Sequence, residues 1–237
     1  IDATNVSNVG ALSVATTWAS VRDAATGGSV DASADGIELG RSRFAARGSY
    51  FNVLYRVFAA FDTNGVSVTP SSATLKVFGY TNTTADFFVV GGAQGIGNPS
   101  TADFDAITGW DVSGGGASDG NGGGTQEGKV RKYSAEVTSW TSGAYNDITL
   151  TSEARADIAT YPALYICFIE SVYDLRDDDT TNVGGYPAWT GMYFDDDAGK
   201  EMYIDYTAGS AGYANTVNGI PANGIGSING VATANIS

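Results

Sequence analysis

The chain has 237 residues, and its 12 Lys+Arg against 26 Asp+Glu give a formal charge of −14. No stretch is apolar over the roughly 18 residues that span a bilayer, which argues against a membrane partner. The acidity argues against a nucleic-acid partner, because neutralising phosphates needs a basic face. A hydrophobic content of 43 % with 13 Tyr and 10 Phe is too rich for a disordered chain, and the absence of His removes the commonest general base and metal ligand.

The chain opens at Ile1 without Met or a basic-plus-apolar leader, which reads as a processed or partial chain. Residues 1–16 are small and polar, lack aromatics and read as an N-terminal arm. The body is expected over 17–207. Within it, 51–61 is a long apolar-aromatic run, 71–80 alternates, 87–90 is short and apolar, and 130–140 half alternates. Residues 146–150 carry β-branched side chains, and 164–172 is almost continuously apolar, as in a strand buried on both faces. The series closes with 192–194 and 202–206. Turn residues separate the runs: Asp-Thr-Asn-Gly at 62–65, Thr-Asn-Thr-Thr at 81–84, Gly-Gly at 91–92 and Gly-Gly-Tyr-Pro at 184–187. Short β-branched and aromatic runs punctuated in this way predict an all-β sandwich. One helix is predicted, over 151–160, with Glu153 favourably placed at its N-terminus.

From residue 208 the composition shifts to Gly, Asn, Ala and isolated Val or Ile. Val217-Asn218-Gly219-Ile220 recurs as Ile228-Asn229-Gly230-Val231, and Ile225 recurs as Ile236, which sets an 11-residue period. Two repeats do not make a self-supporting solenoid. Val217, Ile220, Ile225, Ile228, Val231 and Ile236 are therefore read as an assembly arm that orders on a neighbouring subunit, the alternative being a flexible tail.

Asp174 and Asp177, Asp178 and Asp179 form one acidic group, and Asp195, Asp196 and Asp197 another. These are either solvated loops or ligands of a structural Ca2+, although the spacing does not match an EF-hand. No other cofactor is indicated. The Gly-rich stretch 109–128 lacks the Gly-Lys-Ser/Thr of a phosphate loop and reads as an exposed, mobile loop. Trp110 and Trp189 adjoin Gly- or Pro-containing loops and could offer a glycan platform, whereas Trp140 ends an alternating run and reads as core. Cys167, the single cysteine, sits in Tyr-Ile-Cys-Phe-Ile and reads as a buried apolar residue. Arg56 interrupts an apolar strand and needs an anionic partner such as Asp62 or Asp205. Phe58 and Phe61 differ by an odd step, so that strand either contains a bulge or is buried on both faces.

The order Tyr55-Arg56-Val57-Phe58-Ala59-Ala60-Phe61-Asp62, then Ser72-Ala73-Thr74-Leu75, then Val137-Thr138-Ser139-Trp140, resembles the DNRLRE-type domains. These are jelly-roll β-sandwiches related to carbohydrate-binding modules, and the resemblance covers 17–207. The opening 18–27 and the tail 229–236 are similar to virion proteins of environmental tailed phages. The resemblance implies a single jelly-roll β-sandwich with extended N- and C-terminal arms, no catalytic residues and a virion or extracellular location. It implies partners among copies of itself and other virion or surface-assembly proteins, with host glycans as further candidates. A carbohydrate-binding or adhesin module, and a subunit of an extracellular filament or surface layer, are the competing readings.

Overall fold

The computed structural model describes residues 1–14, 18–31, 36–46, 49–82, 85–94, 98–111, 125–178, 185–193, 197–209, 227–228 and 231–232. The strands of the body are β1 (Ala3–Val14), β2 (Ser29–Asp31), β3 (Ile37–Ala46), β4 (Ser49–Asp62), β5 (Ser72–Asn82), β6 (Phe87–Gly91), β7 (Tyr145–Thr149), β8 (Ala163–Glu170), β9 (Gly185–Met192) and β10 (Tyr203–Thr207). Two short strands follow, β11 (Ser227–Ile228) and β12 (Val231–Ala232). The helices are α1 (Trp18–Arg22) and α2 (Ser152–Thr160), with a 3-10 turn at Thr101–Asp103 and a π-helical turn at Ser171–Leu175.

Among the described residues all strand pairings are antiparallel. The body sheet runs β10-β5-β9-β3-β4-β1-β2, with β7 on β5, β8 on β4 and β6 on β8. β9 turns the corner, because its residues pair with both β3 and β5. The start of the chain then returns to β10: Asp2 bridges Tyr203, and the Ala3 N–H donates to the Met202 carbonyl at 2.8 Å. The curled sheet thus becomes a jelly-roll-like all-β sandwich. One layer contains β1, β4, β8 and β6, and the facing layer contains β5, β7 and β10.

The main core lies between the layers. It joins Val57, Phe61, Phe87, Ile166 and Phe168 to Leu75, Val77, Ile148 and Ile204. A second core covers the outer face of β4, β6 and β8 and contains Leu54, Phe58, Phe88, Val90, Cys167 and Ile169. It is roofed by Trp18 and Val21 of α1, by Phe104 and Ile107, and by Leu175 of the π-helical turn. The odd spacing of Phe58 and Phe61 is thereby explained without a bulge: Phe58 enters the second core and Phe61 the first. Two-sided burial accounts for the continuous apolar runs, each full Val, Leu, Ile or Phe burial being worth about 1.5–3 kcal/mol.

The strands expected at 51–61, 71–80, 87–90, 146–150, 164–172 and 202–206 are present as β4, β5, β6, β7, β8 and β10. Helix α2 is capped by Thr151, whose side chain accepts from the Ala154 N–H at 3.4 Å. Residues 3–14, read from sequence as most of an arm, instead pair with β4 from Phe61 back to Phe51. A half-apolar strand between β4 and the short edge strand β2 needs no aromatics, so composition alone concealed it. Residues 130–140 form no strand. Tyr133 and Ser134 are both buried, and both of their N–H groups donate to the Val89 carbonyl (2.8 and 3.2 Å), which breaks the alternation.

Candidate functional site

The outer face of the smaller layer carries a row of aromatic rings. Along β5 the side chains alternate: Ala73, Leu75 and Val77 enter the core, while Thr74, Lys76, Phe78 and Tyr80 face outward. Register brings partners to them. Tyr145 of β7 stands opposite Phe78, and Tyr203 of β10 stands opposite Lys76. Just beyond β9, the Tyr193 N–H donates to the Phe78 carbonyl at 3.0 Å.

The rings form a chain: Tyr80 to Tyr193 at 5.2 Å, Tyr193 to Phe78 at 5.5 Å, Phe78 to Tyr145 at 5.1 Å, and Tyr145 to Tyr203 at 5.6 Å. Each contact is edge-to-face, the arrangement that the ring quadrupole favours. Tyr80 is 40 % exposed, and the other four rings are partly buried. The Lys200 ammonium lies 3.6 Å from the centre of the Tyr193 ring. The Tyr145 hydroxyl donates to the Glu201 carbonyl at 3.1 Å, tying the 199–201 loop to the row. Burial, followed by the charge of Glu201, raises the Tyr145 pKa above the ordinary phenol value, so the ring is neutral at physiological pH. At the Tyr145–Tyr203 end, a depression of about 430 Å³ is lined by Asp2, Ala3, Tyr145, Glu201 and Tyr203.

The buried charges of the second core are tied to one another. Arg56 donates to both carboxylate oxygens of Asp174, at 2.8 and 2.7 Å, and also to the carbonyls of Phe104 and Arg22. Burial works against the Arg56 charge, but the attraction and hydrogen bonds of Asp174 hold its pKa above the ordinary arginine value. Arg22 donates to the Asp174 carbonyl and to the Asp23 carboxylate. Arg41 is sandwiched between Trp18 and Tyr173. The partner anticipated for Arg56 among Asp62 and Asp205 is therefore corrected to Asp174. Asp62 is exposed and accepts from the Asn64 N–H in a turn, and Asp205 is exposed on β10.

The two tryptophans singled out from sequence occupy opposite faces of the main layer. Trp189 is 9 % exposed and meets Tyr55 edge-on at 5.4 Å, across the side-chain-free Gly40 of β3. Trp110 is partly buried against the guanidinium groups of Arg56 and Arg22, at 4.2 and 5.0 Å. Tyr55 and Arg56 are consecutive on β4 and point to opposite sides, so the two indoles do not share one surface. Trp140 is core, its Nε1–H donating to the Gly191 carbonyl at 3.1 Å. Cys167 is buried.

Of the proposed calcium ligands, Asp177 is buried with its carboxylate 3.6 Å from Arg22, Asp178 is exposed, and Asp197 pairs with Lys200 at 3.5 Å. Asp179, Asp195 and Asp196 lie outside the described residues, as do 112–124 of the Gly-rich stretch and Val217, Ile220, Ile225 and Ile236 of the tail. Among the described residues no group of three or more acidic or cysteine side chains is placed to hold a metal ion. Among them, too, no helix is long and apolar enough to cross a membrane. Ile228 and Val231 are register partners across β11 and β12.

No protein-family model matches the chain, and no curated protein matches it in sequence. The sequence reading missed the aromatic row. The available signal was the i, i+2 spacing of Phe78 and Tyr80 on an alternating strand. Nothing local to Tyr145, Tyr193 or Tyr203 indicates that they join it.

Proposed function

We propose that the protein is a non-enzymatic structural subunit of a surface assembly, a viral particle foremost. In this reading the sandwich is the exposed body and the C-terminal repeat is the joint to neighbouring subunits. The observation that carries it is the placement of the second repeat. Among the described residues, β11 and β12 pair with each other in a two-stranded sheet separate from that of the body. Strands of two residues bury too little to persist alone in water, so such a hairpin gains its stability from a further surface. The body is self-contained by comparison, since its sheet returns to its own first strand at Asp2–Tyr203. Resemblance to phage virion proteins in 18–27 and 229–236 points to the same kind of assembly. Repetition across many copies would turn weak arm contacts into a stable particle.

Deletion of 208–237 tests the reading. The truncated chain is expected to keep its β-type circular dichroism and a cooperative thermal transition, and to lose assembly in light scattering and electron microscopy. Assembly equal to that of the full chain would overturn it.

A further inference from the structure

We propose that Asn64-Gly65, in the turn that carries the chain from β4 toward β5, is a site of spontaneous covalent modification. Asn64 closes onto the Gly65 amide nitrogen, and water opens the ring to aspartate and isoaspartate. The inference does not depend on the assembly role.

Three observations carry it. First, the pair is open to solvent. Asn64 and Gly65 are both exposed, and a Cβ built at Gly65 would meet nothing within 4 Å. The attacking nitrogen therefore belongs to a residue with no side chain to hinder its approach.

Second, the hydrogen bonds of the turn bypass the reacting atoms. The Asn64 N–H donates to the Asp62 carboxylate at 2.9 Å, and the Val66 N–H donates to the Thr63 carbonyl at 3.0 Å. Among the described residues nothing accepts from the Gly65 N–H, and nothing bonds the Asn64 side-chain amide. An amide in a strand would first have to give up its ladder bond, whereas this one gives up only water.

Third, the turn is anchored just before the pair. Thr63 is buried, its N–H donates to the Pro162 carbonyl at 3.1 Å, and its hydroxyl donates to the Tyr161 carbonyl. The modification is thus confined to a projection beyond the anchor, and the sheet does not have to open for it to proceed.

The chemistry balances with water alone. The Gly65 nitrogen gives its proton to solvent and attacks the Asn64 Cγ. The new N–C bond closes a five-membered imide, and the side-chain amide leaves as ammonia. Closure within one residue supplies the proximity that the weak nucleophile lacks. Water then cleaves the ring at Cγ, which gives aspartate, or at the main-chain carbonyl, which gives isoaspartate and adds a methylene to the backbone. Either product replaces a neutral amide with a carboxylate and takes the chain from −14 to −15.

The experiment is incubation of the full chain at about pH 8, followed by peptide mapping with mass spectrometry and by labelling with an isoaspartate-specific methyltransferase. Mapping keeps Asn64 apart from Asn121, Asn218, Asn223 and Asn229, which also precede Gly. Position 64 is expected to convert at a rate within tenfold of that in a synthetic 60–68 peptide, with isoaspartate among the products and a rate that rises with pH. Gly65→Ala is expected to slow conversion tenfold or more, because its methyl group crowds the nitrogen. Asn64→Gln, which would need a six-membered ring, keeps the test valid if Gly65→Ala disturbs the turn, and is expected to show the same loss. Three results would each overturn the proposal: conversion in the folded chain more than tenfold slower than in the peptide, products without isoaspartate, or a rate unchanged in Asn64→Gln.

Discussion

Arg56 and Asp174, 118 residues apart in sequence, meet in a fully buried two-pronged ion pair beneath α1. Asp174 belongs to the π-helical turn that follows β8, and that turn is fixed in place by Glu170. The Glu170 carboxylate accepts from the Val172, Tyr173 and Asp174 N–H groups at 2.8, 2.6 and 3.0 Å. The second core is thus pinned by a chain of polar contacts running from the end of β8 to the middle of β4. Arg56→Met leaves Asp174 charged and buried with its main partner gone. It is expected to cost about 3–5 kcal/mol in chemical denaturation. Replacing Asp174 with Leu in the same chain should cost less than the sum of the two single changes.

Glu170 gives a pH dependence of defined sign. Burial pushes its carboxyl up to about 7, against the pull of three backbone N–H bonds. Between the ordinary Glu value of 4.5 and about 7, the folded chain holds a proton that the unfolded chain has released. Stability from this group therefore falls as pH rises through that window. Thermal melts at pH 5, 6, 7 and 8 should show a decline in Tm that is flatter in Glu170→Gln.

Glu136 has the opposite sign. Arg176 donates to both of its oxygens at 2.8 Å and holds its carboxyl down at about 2. Here the unfolded chain takes up the proton first. The stabilisation is complete above pH 4.5 and is lost as pH falls toward about 2. The Tm gap between the parent and Glu136→Gln is expected to close over that interval, as followed by circular dichroism.

Gly79 is required by close approach, since a Cβ there would be driven into the Thr141 carbonyl and would stand 3.0 Å from the Trp140 indole nitrogen. The obstacle is backbone and cannot rotate away. Gly79→Ala should destabilise by about 1–3 kcal/mol, read as a lowered urea midpoint with an unchanged m-value.

Cys167 lies between β4 and β6, with its thiol pushed up by burial, so thiolate is scarce and reagent access is closed. Iodoacetamide labelling in native buffer is expected to proceed only through unfolding. Rapid labelling of the native chain would show that β8 opens locally.

Local pattern determined a large share of this protein. Apolar runs marked β4, β6 and β8, and their unbroken character, with Phe58 and Phe61 out of phase, already contained the two-sided burial. Thr151 marked the start of α2, and Trp140 and Cys167 read correctly as core. Of the candidate site, Phe78 and Tyr80 were legible as neighbours on one face of β5. Side-chain alternation is a property of a single strand, so a single strand reveals it. Which strands lie side by side, and in what register, is set by the closure of the whole sheet. That closure chose Asp174 over Asp62 and Asp205 for Arg56. It also drew residues 3–14 into β1 and placed Tyr145, Tyr193 and Tyr203, from three separate segments, in one cluster of rings with Phe78.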